Sequence, residues 1–181
     1  MRSSAFRRGC AALLALAAVA CAGVPTPRGP GTTAPASRFV VVRHAEKQTG
    51  TAAASDPSLT DAGRQRAARL AASLAEDPVV AVYATPYRRT RDTALPTAHM
   101  HGLQITEYDP RQPAPALVDA LRDAHPRGTV LVVGHSNTAP AIAAALCACE
   151  VAAMGEDEYD HRYLIDIDGD GRVRLSDIPL P

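Results

Sequence analysis

Residues 39–47 read Phe-Val-Val-Val-Arg-His-Ala-Glu-Lys, and residues 129–137 read Thr-Val-Leu-Val-Val-Gly-His-Ser-Asn. Each is a short apolar run that breaks off at a histidine. A run of this length with no polar alternation has the pattern of a strand covered on both faces. Outward from these two, strands are expected over 38–42, 79–84, 103–108 and 129–133. Between and after them, helical spacing predicts helices from the Thr60 N-cap to about 77, over 87–98, over 116–124 and over 138–149. The order βαβαβαβα predicts an α/β three-layer sandwich, a mostly parallel central sheet with helices on both faces, since strands apolar on both sides need covering twice. Residues 162–175 alternate around Asp168-Gly169-Asp170-Gly171, which predicts a C-terminal β-hairpin.

In an open parallel sheet, ligands bind beyond the carboxyl ends of the strands. His44 and His135 each follow such an end, so they face one cleft if their strands are neighbours. Either histidine alone reads more simply as a hydrogen-bonded loop residue. Together they stand with Arg43 and with Arg88, Arg89 and Arg91, whose guanidinium groups suit forked pairing with phosphate oxygens. Ser136 and Asn137 open the helix behind His135, where backbone donors favour an anion.

These residues carry a resemblance. Arg43-His44-Ala45-Glu46 resembles the RHG signature of the histidine phosphatase superfamily, in its phosphoglycerate-mutase-like branch. Leu59-Thr60-x-x-Gly63 is similar to that branch's LTxxG, residues 85–94 (TPYRRTRDTA) to its SxxxRTxxTA, and Gly134-His135 to its second histidine. The four matches fall in the family's order between residue 39 and about residue 145. The resemblance implies a phosphoglycerate-mutase-like sandwich in which His44 accepts the phosphoryl group while Arg43, Arg89 and His135 hold it. By register Arg89 matches the family's arginine, which leaves Arg88 and Arg91 as solvated helix positions. Ala45 departs from the family's glycine and Arg66 from its glutamine.

The chemistry suits the residue types in their own right. Neutral imidazole can attack phosphorus near neutral pH, dividing hydrolysis into transfer to His44 and release by water. Charge in the transition state spreads over the equatorial oxygens, so fixed cations are the main requirement and neither metal nor cofactor is expected. The leaving oxygen also needs a proton. The family takes it from an acid near the third strand, which makes Asp109 the first candidate and Glu107 the second, with plain surface acids as the alternative.

Other signals have simpler readings. The acids at 166, 168, 170 and 177 match a calcium-loop pattern, but the flanking residues alternate as strands rather than helices. The acidic run 156–160 either borders the cleft, with a basic substrate group as its partner, or is solvated surface. His99 and His101 lie off the expected cleft. Cys147 and Cys149 are expected as buried thiols, since a Cys-x-Cys pair on one helix points to different faces.

The first part of the chain reads differently. Arg2, Arg7 and Arg8 precede an apolar run over 10–20, the layout of an export signal. At about half of the roughly 20 residues that a membrane span needs, the run is too short for a stable anchor. Residues 18–21 (AVAC) resemble a bacterial lipobox, which implies lipidation of Cys21; an ordinary signal cut near Ala20 is the alternative. Residues 22–37 are rich in proline and glycine and read as a tether, leaving 38–181 as the folded domain. With a formal charge of zero and no long basic stretch after residue 38, electrostatics does not suggest a nucleic-acid partner, and none is expected. The expectation is an exported periplasmic phosphatase, lipid-anchored to the outer membrane, acting on a small-molecule or peptidyl phosphate ester. A mutase-type phosphotransferase and a non-catalytic anion-binding envelope lipoprotein are the alternatives.

Overall fold

Six strands make one sheet in the order β3-β2-β4-β1-β5-β6. They are β1 (Ser37–Arg43), β2 (Val79–Ala84), β3 (Ile105–Glu107), β4 (Gly128–Gly134), β5 (His161–Ile167) and β6 (Val173–Pro179). The first four run parallel, whereas β5 is antiparallel to β1 and forms the terminal hairpin with β6. This computed structural model describes residues 36–50 and 55–180. The expected signal, Cys21 and all but the end of the tether lie outside the described residues. The end of the tether is corrected: Ser37 already belongs to β1, buried between Gly128 and Ile167.

Strand β1 is central because its side chains leave nothing for water on either face. Phe39 and Val41 point to one side, with Val130 and Val132 of β4, and meet Leu117, Val118 and Leu121 of α3 (Ala114–Ala124) and Ile142, Ala143 and Leu146 of α4 (Thr138–Cys147). Val40 and Val42 point to the other side, with Leu131 and Val133. There they meet Leu70 of α1 (Asp61–Ser73) and Ala94 and Ala98 of α2 (Arg88–Met100). The alternation that gives a strand two faces thus builds two apolar layers from one run. Burying each such Val or Leu contributes roughly 1.5–3 kcal/mol.

Two close approaches account for glycine positions within the motifs. The Thr60 Oγ1 accepts from the Gly63 N–H and caps α1, while the Thr60 N–H donates to the Glu46 carbonyl at 2.8 Å. Helix α1 therefore lies against the backbone that follows His44, and a Cβ on Gly63 would sit 2.3 Å from the Glu46 carbonyl oxygen. Gly134 is similarly tight, since a Cβ there would sit 2.6 Å from the Thr138 hydroxyl.

The cysteine expectation is overturned. Helix α4 ends at Cys147, not at 149, because Ala148 takes a left-handed conformation (φ 51°). That residue turns the chain back on itself, the two Cα atoms come within 5.1 Å, and Cys147 and Cys149 form a disulfide. The periodicity of a continuous helix, on which the thiol reading rested, stops one residue too early to apply.

Candidate functional site

The register of the sheet decides the site. Arg43 pairs with Gly134 at the ends of neighbouring parallel strands, and the His44 N–H donates to the Gly134 carbonyl at 2.9 Å. The next residue on each strand is a histidine, and the two rings meet edge to face with centroids 5.5 Å apart. They line an open cleft of about 440 Å³ together with Arg43, Lys47, Tyr87, Arg89, Arg111 and Glu156. Four cations thus share the cleft with one carboxylate.

His44 is held by its own backbone. Its Nδ1 lies 2.8 Å from the Ala45 carbonyl, which as an acceptor requires the proton on Nδ1 and leaves the Nε2 lone pair unprotonated. The ring is buried. Loss of water lowers its pKa to about 3, partly offset by the Ala45 carbonyl and reinforced by the charges of Arg43 and Arg89 and by His135. At neutral pH the imidazole is therefore uncharged. The Ala45 N–H in turn donates to the Thr93 hydroxyl, which donates to the Arg89 carbonyl, so the RHAE segment and α2 fix one another. Ala45, Leu59 and Ala67 pack together beneath this loop, and the extra methyl of Ala45 occupies core rather than cleft.

His135 is held by a hydroxyl chain. Its Nε2 lies 3.0 Å from the Thr85 Oγ1, which is 2.8 Å from the Thr90 Oγ1, and Thr90 donates to the backbone carbonyls of Thr85 and Tyr87. Its Nδ1 faces Nη2 of Arg89 at 3.5 Å. Burial, followed by the charges of Arg89 and Arg43, lowers its pKa to about 4. Arg89 stacks on the Tyr87 ring at 4.5 Å and approaches Asp56 at 3.7 Å. Asp56 also accepts from the Arg88 N–H and so caps the start of α2.

Arg43 has a second task that its position in the motif does not reveal. Its side chain is 1% exposed. Its Nη1 donates to the carbonyls of Gly155, Glu156 and Glu158, and its Nη2 donates to the Glu156 carboxylate at 3.2 Å. Tyr159 covers its guanidinium face at 4.3 Å. The Nε atoms of Arg43 and Arg89 are both buried without a protein acceptor.

The two acids expected as proton donors do not line the cleft. Asp109 is turned outward by Arg111, whose backbone and side chain both donate to it and lower its pKa. Glu107 ends the edge strand β3 and pairs with Arg91 at 3.4 Å, so Arg91 is not merely solvated. Ser136 and Asn137 do reach the cleft. The cleft residues that sequence reasoning missed are Lys47, Tyr87, Arg111 and the specific placement of Glu156. The acidic run 156–160 was the only signal for the last of these. Arg66, the other departure, forks the Glu46 carboxylate with a shortest contact of 2.7 Å.

The hairpin acids are individually occupied. Asp166 pairs with Arg38, Asp168 accepts from the N–H groups of Asp170 and Arg172, Asp170 pairs with Arg172, and Asp177 with His161. Among the described residues, no group of three or more His, Cys, Asp or Glu side chains is placed to hold a metal ion.

Residues 39–111 match the family model described as histidine phosphatase superfamily (branch 1). Known structures share the fold. The protein histidine phosphatase SixA, solved with tungstate, is similar with a TM-score of 0.65 at 18% identity, over 78% of this chain and 96% of that one. A mycobacterial glucosyl-3-phosphoglycerate phosphatase is similar with a TM-score of 0.63 at 19% identity, over 80% and 99%. YhfR of Bacillus stearothermophilus follows with 0.59 at 20%, over 78% and 96%. No curated protein matches the chain in sequence. The family model thus covers the segment that holds Arg43, His44 and Arg89, and the solved structures share the fold of the sheet that carries it.

Proposed function

We propose that the domain hydrolyses a phosphate monoester through a phosphohistidine on His44. The observation that carries this reading is the meeting of two neutral imidazoles from distant segments, 5.5 Å apart, in a cleft ringed by guanidinium groups. A dianionic phosphate in that cleft places its oxygens against Arg43, Arg89, Ser136 and Asn137, with Lys47 and Arg111 at the rim. Arg43 and Arg89 each keep a buried donor for such an anion. Positioned cations of this kind meet the charge of the transition state without reorganising, in a site partly shielded from water.

His44 attacks through Nε2, the P–O bond to the alcohol breaks, and the imidazole carries the phosphoryl group while its Nδ1–H stays on the Ala45 carbonyl. Water then attacks phosphorus, the N–P bond breaks, and inorganic phosphate leaves. His135, anchored through Thr85, lies against the same phosphoryl oxygens. Phosphatases that share the fold support this assignment, among them the protein histidine phosphatase SixA and a glucosyl-3-phosphoglycerate phosphatase. We read the substrate as a small-molecule or peptidyl phosphate ester. For the first part of the chain we retain the reading of an export signal with lipidation at Cys21, a tether, and residence at the periplasmic face of the outer membrane. No helix among the described residues is long and apolar enough to cross a membrane.

The test is turnover of p-nitrophenyl phosphate by the full chain and by His44→Ala. The expected result is hydrolysis by the first and none above background by the second. Equal rates from the two would refute the role of His44.

A further inference from the structure

The proposed chemistry leaves the alcohol oxygen in need of a proton, and neither Asp109 nor Glu107 faces the cleft. Glu156 is the one carboxyl among the residues that line it. Its Oε1 accepts from the Ser136 hydroxyl at 2.6 Å and its Oε2 from Arg43 at 3.2 Å. It therefore occupies, with its own negative charge, two of the donors that a phosphate would use. The side chain is 78% exposed, so it can leave those donors without breaking a core. Its backbone cannot leave as easily, because the Glu156 carbonyl and its neighbours at 155 and 158 are fastened to the buried Arg43. A carboxyl on a fixed backbone can turn away from the phosphate and still stay beside it.

Glu156 also stands on a boundary. A second cavity of about 420 Å³ shares Ser136, Asn137 and Glu156 with the cleft, and its far walls include the apolar side chains of Pro140, Val151 and Met154. With the phosphoryl group at His44 and the alcohol in this second cavity, the bridging oxygen lies at the junction, where Glu156 is.

We propose that Glu156 is the proton donor to the leaving oxygen, set free for that task when the substrate phosphate displaces it from Arg43 and Ser136. The proposal rests on the phosphatase reading above. The Ser136 hydroxyl and then Arg43 hold this carboxyl below the ordinary range. An arriving phosphate removes both donors and adds a neighbouring negative charge, so the displaced carboxylate takes up a proton from solvent. As His44 attacks and the ester bond breaks, that proton passes to the alcohol oxygen, giving the neutral alcohol and the Glu156 carboxylate. In the second half, the carboxylate takes a proton from the attacking water as the N–P bond breaks. When phosphate leaves, the proton returns to solvent and Glu156 to Arg43. The net change is ester plus water to alcohol plus phosphate.

The experiment compares wild-type full chain with Glu156→Gln on phosphate esters of rising leaving-group pKa, from p-nitrophenyl through phenyl to a simple alkyl phosphate. A p-nitrophenolate leaves without a proton, whereas an alkoxide does not. The expected loss in kcat/KM is below about 5-fold for the nitrophenyl ester and about 100-fold or more for the alkyl ester, in the range of general acid catalysis. Inorganic phosphate should inhibit the variant at least as well as the wild type, since the competing carboxylate is gone. Equal losses across the series, or no loss on the alkyl ester, overturn the proposal; so does weaker inhibition by phosphate, which would make Glu156 a builder of the anion site. An inert wild-type protein sinks the phosphatase reading and this one together, while the other outcomes strike only Glu156.

Discussion

Two regions of this molecule concentrate charge at turns after strands, and they dispose of it in opposite ways. At the ends of β1 and β4, cations outnumber acids, two arginines are largely buried, and each keeps an Nε donor without an acceptor. At the turn between β5 and β6, Asp168, Asp170 and Arg172 satisfy one another and the backbone in full view of solvent. Both regions looked like sites in the sequence. The difference lies in what is left over: an excess of cations with buried donors unmet by the protein costs folding energy and persists where a ligand meets them, whereas an exposed and locally paired cluster asks for nothing more.

That contrast can be broken from either side. The largest effect is expected from the cleft. Arg89→Ala or His135→Ala should lower kcat/KM for an aryl phosphate by about 10²–10³-fold, the scale of removing one positioned donor. Matching losses from Asp168→Asn would erase the distinction, since that variant should turn over normally. A structural effect comes next. Gly63→Ala drives a methyl into the Glu46 carbonyl and should destabilise the fold by about 1–3 kcal/mol, visible as a lower Tm; an unchanged Tm would mean that the approach of α1 to the RHAE segment is looser than described.

A subtler signature is acid sensitivity. His44 and His135 titrate near 3 and 4 in the folded protein, below the ordinary value of about 6.5 that the unfolded chain adopts. Between about pH 6.5 and 4 the unfolded chain binds protons that the fold refuses, so stability drops as pH falls through that window. Urea melts of His44→Asn should show a shallower drop, and a slope identical to that of the wild type would contradict the burial of a neutral ring. The smallest effect belongs to the hairpin: calcium should leave the Tm where it was, and a rise with calcium concentration would restore the turn as a metal loop.

Much of this was legible because it is local. Apolar runs without alternation gave β1, β2 and β4, and Thr60 gave the start of α1, since each signal is contained within a few residues. The order of strands was not local. That β1 lies beside β4 follows from pairings about ninety residues apart, so the meeting of His44 and His135 could be stated only as a condition. Which acids reach the cleft was hidden for a related reason. Asp109 and Glu107 stand near the end of β3, but Asp109 finds Arg111 two residues away and Glu107 finds Arg91 on the neighbouring helix. Glu156 lies in an irregular segment whose sequence left cleft border and solvated surface both open; the tertiary reach of Arg43 and Ser136 brings it to the cleft. The disulfide was hidden behind one left-handed residue, Ala148, a conformation that alanine seldom advertises.

The central claim is that His44 carries the phosphoryl group. Rapid acid-free quenching of the full chain with a labelled phosphate ester, followed by peptide mass spectrometry at alkaline pH, measures this most directly. The account predicts a transient, acid-labile phosphoryl group on His44. Full turnover with no phosphorylated residue, or a phosphoryl group carried by another side chain, would contradict it.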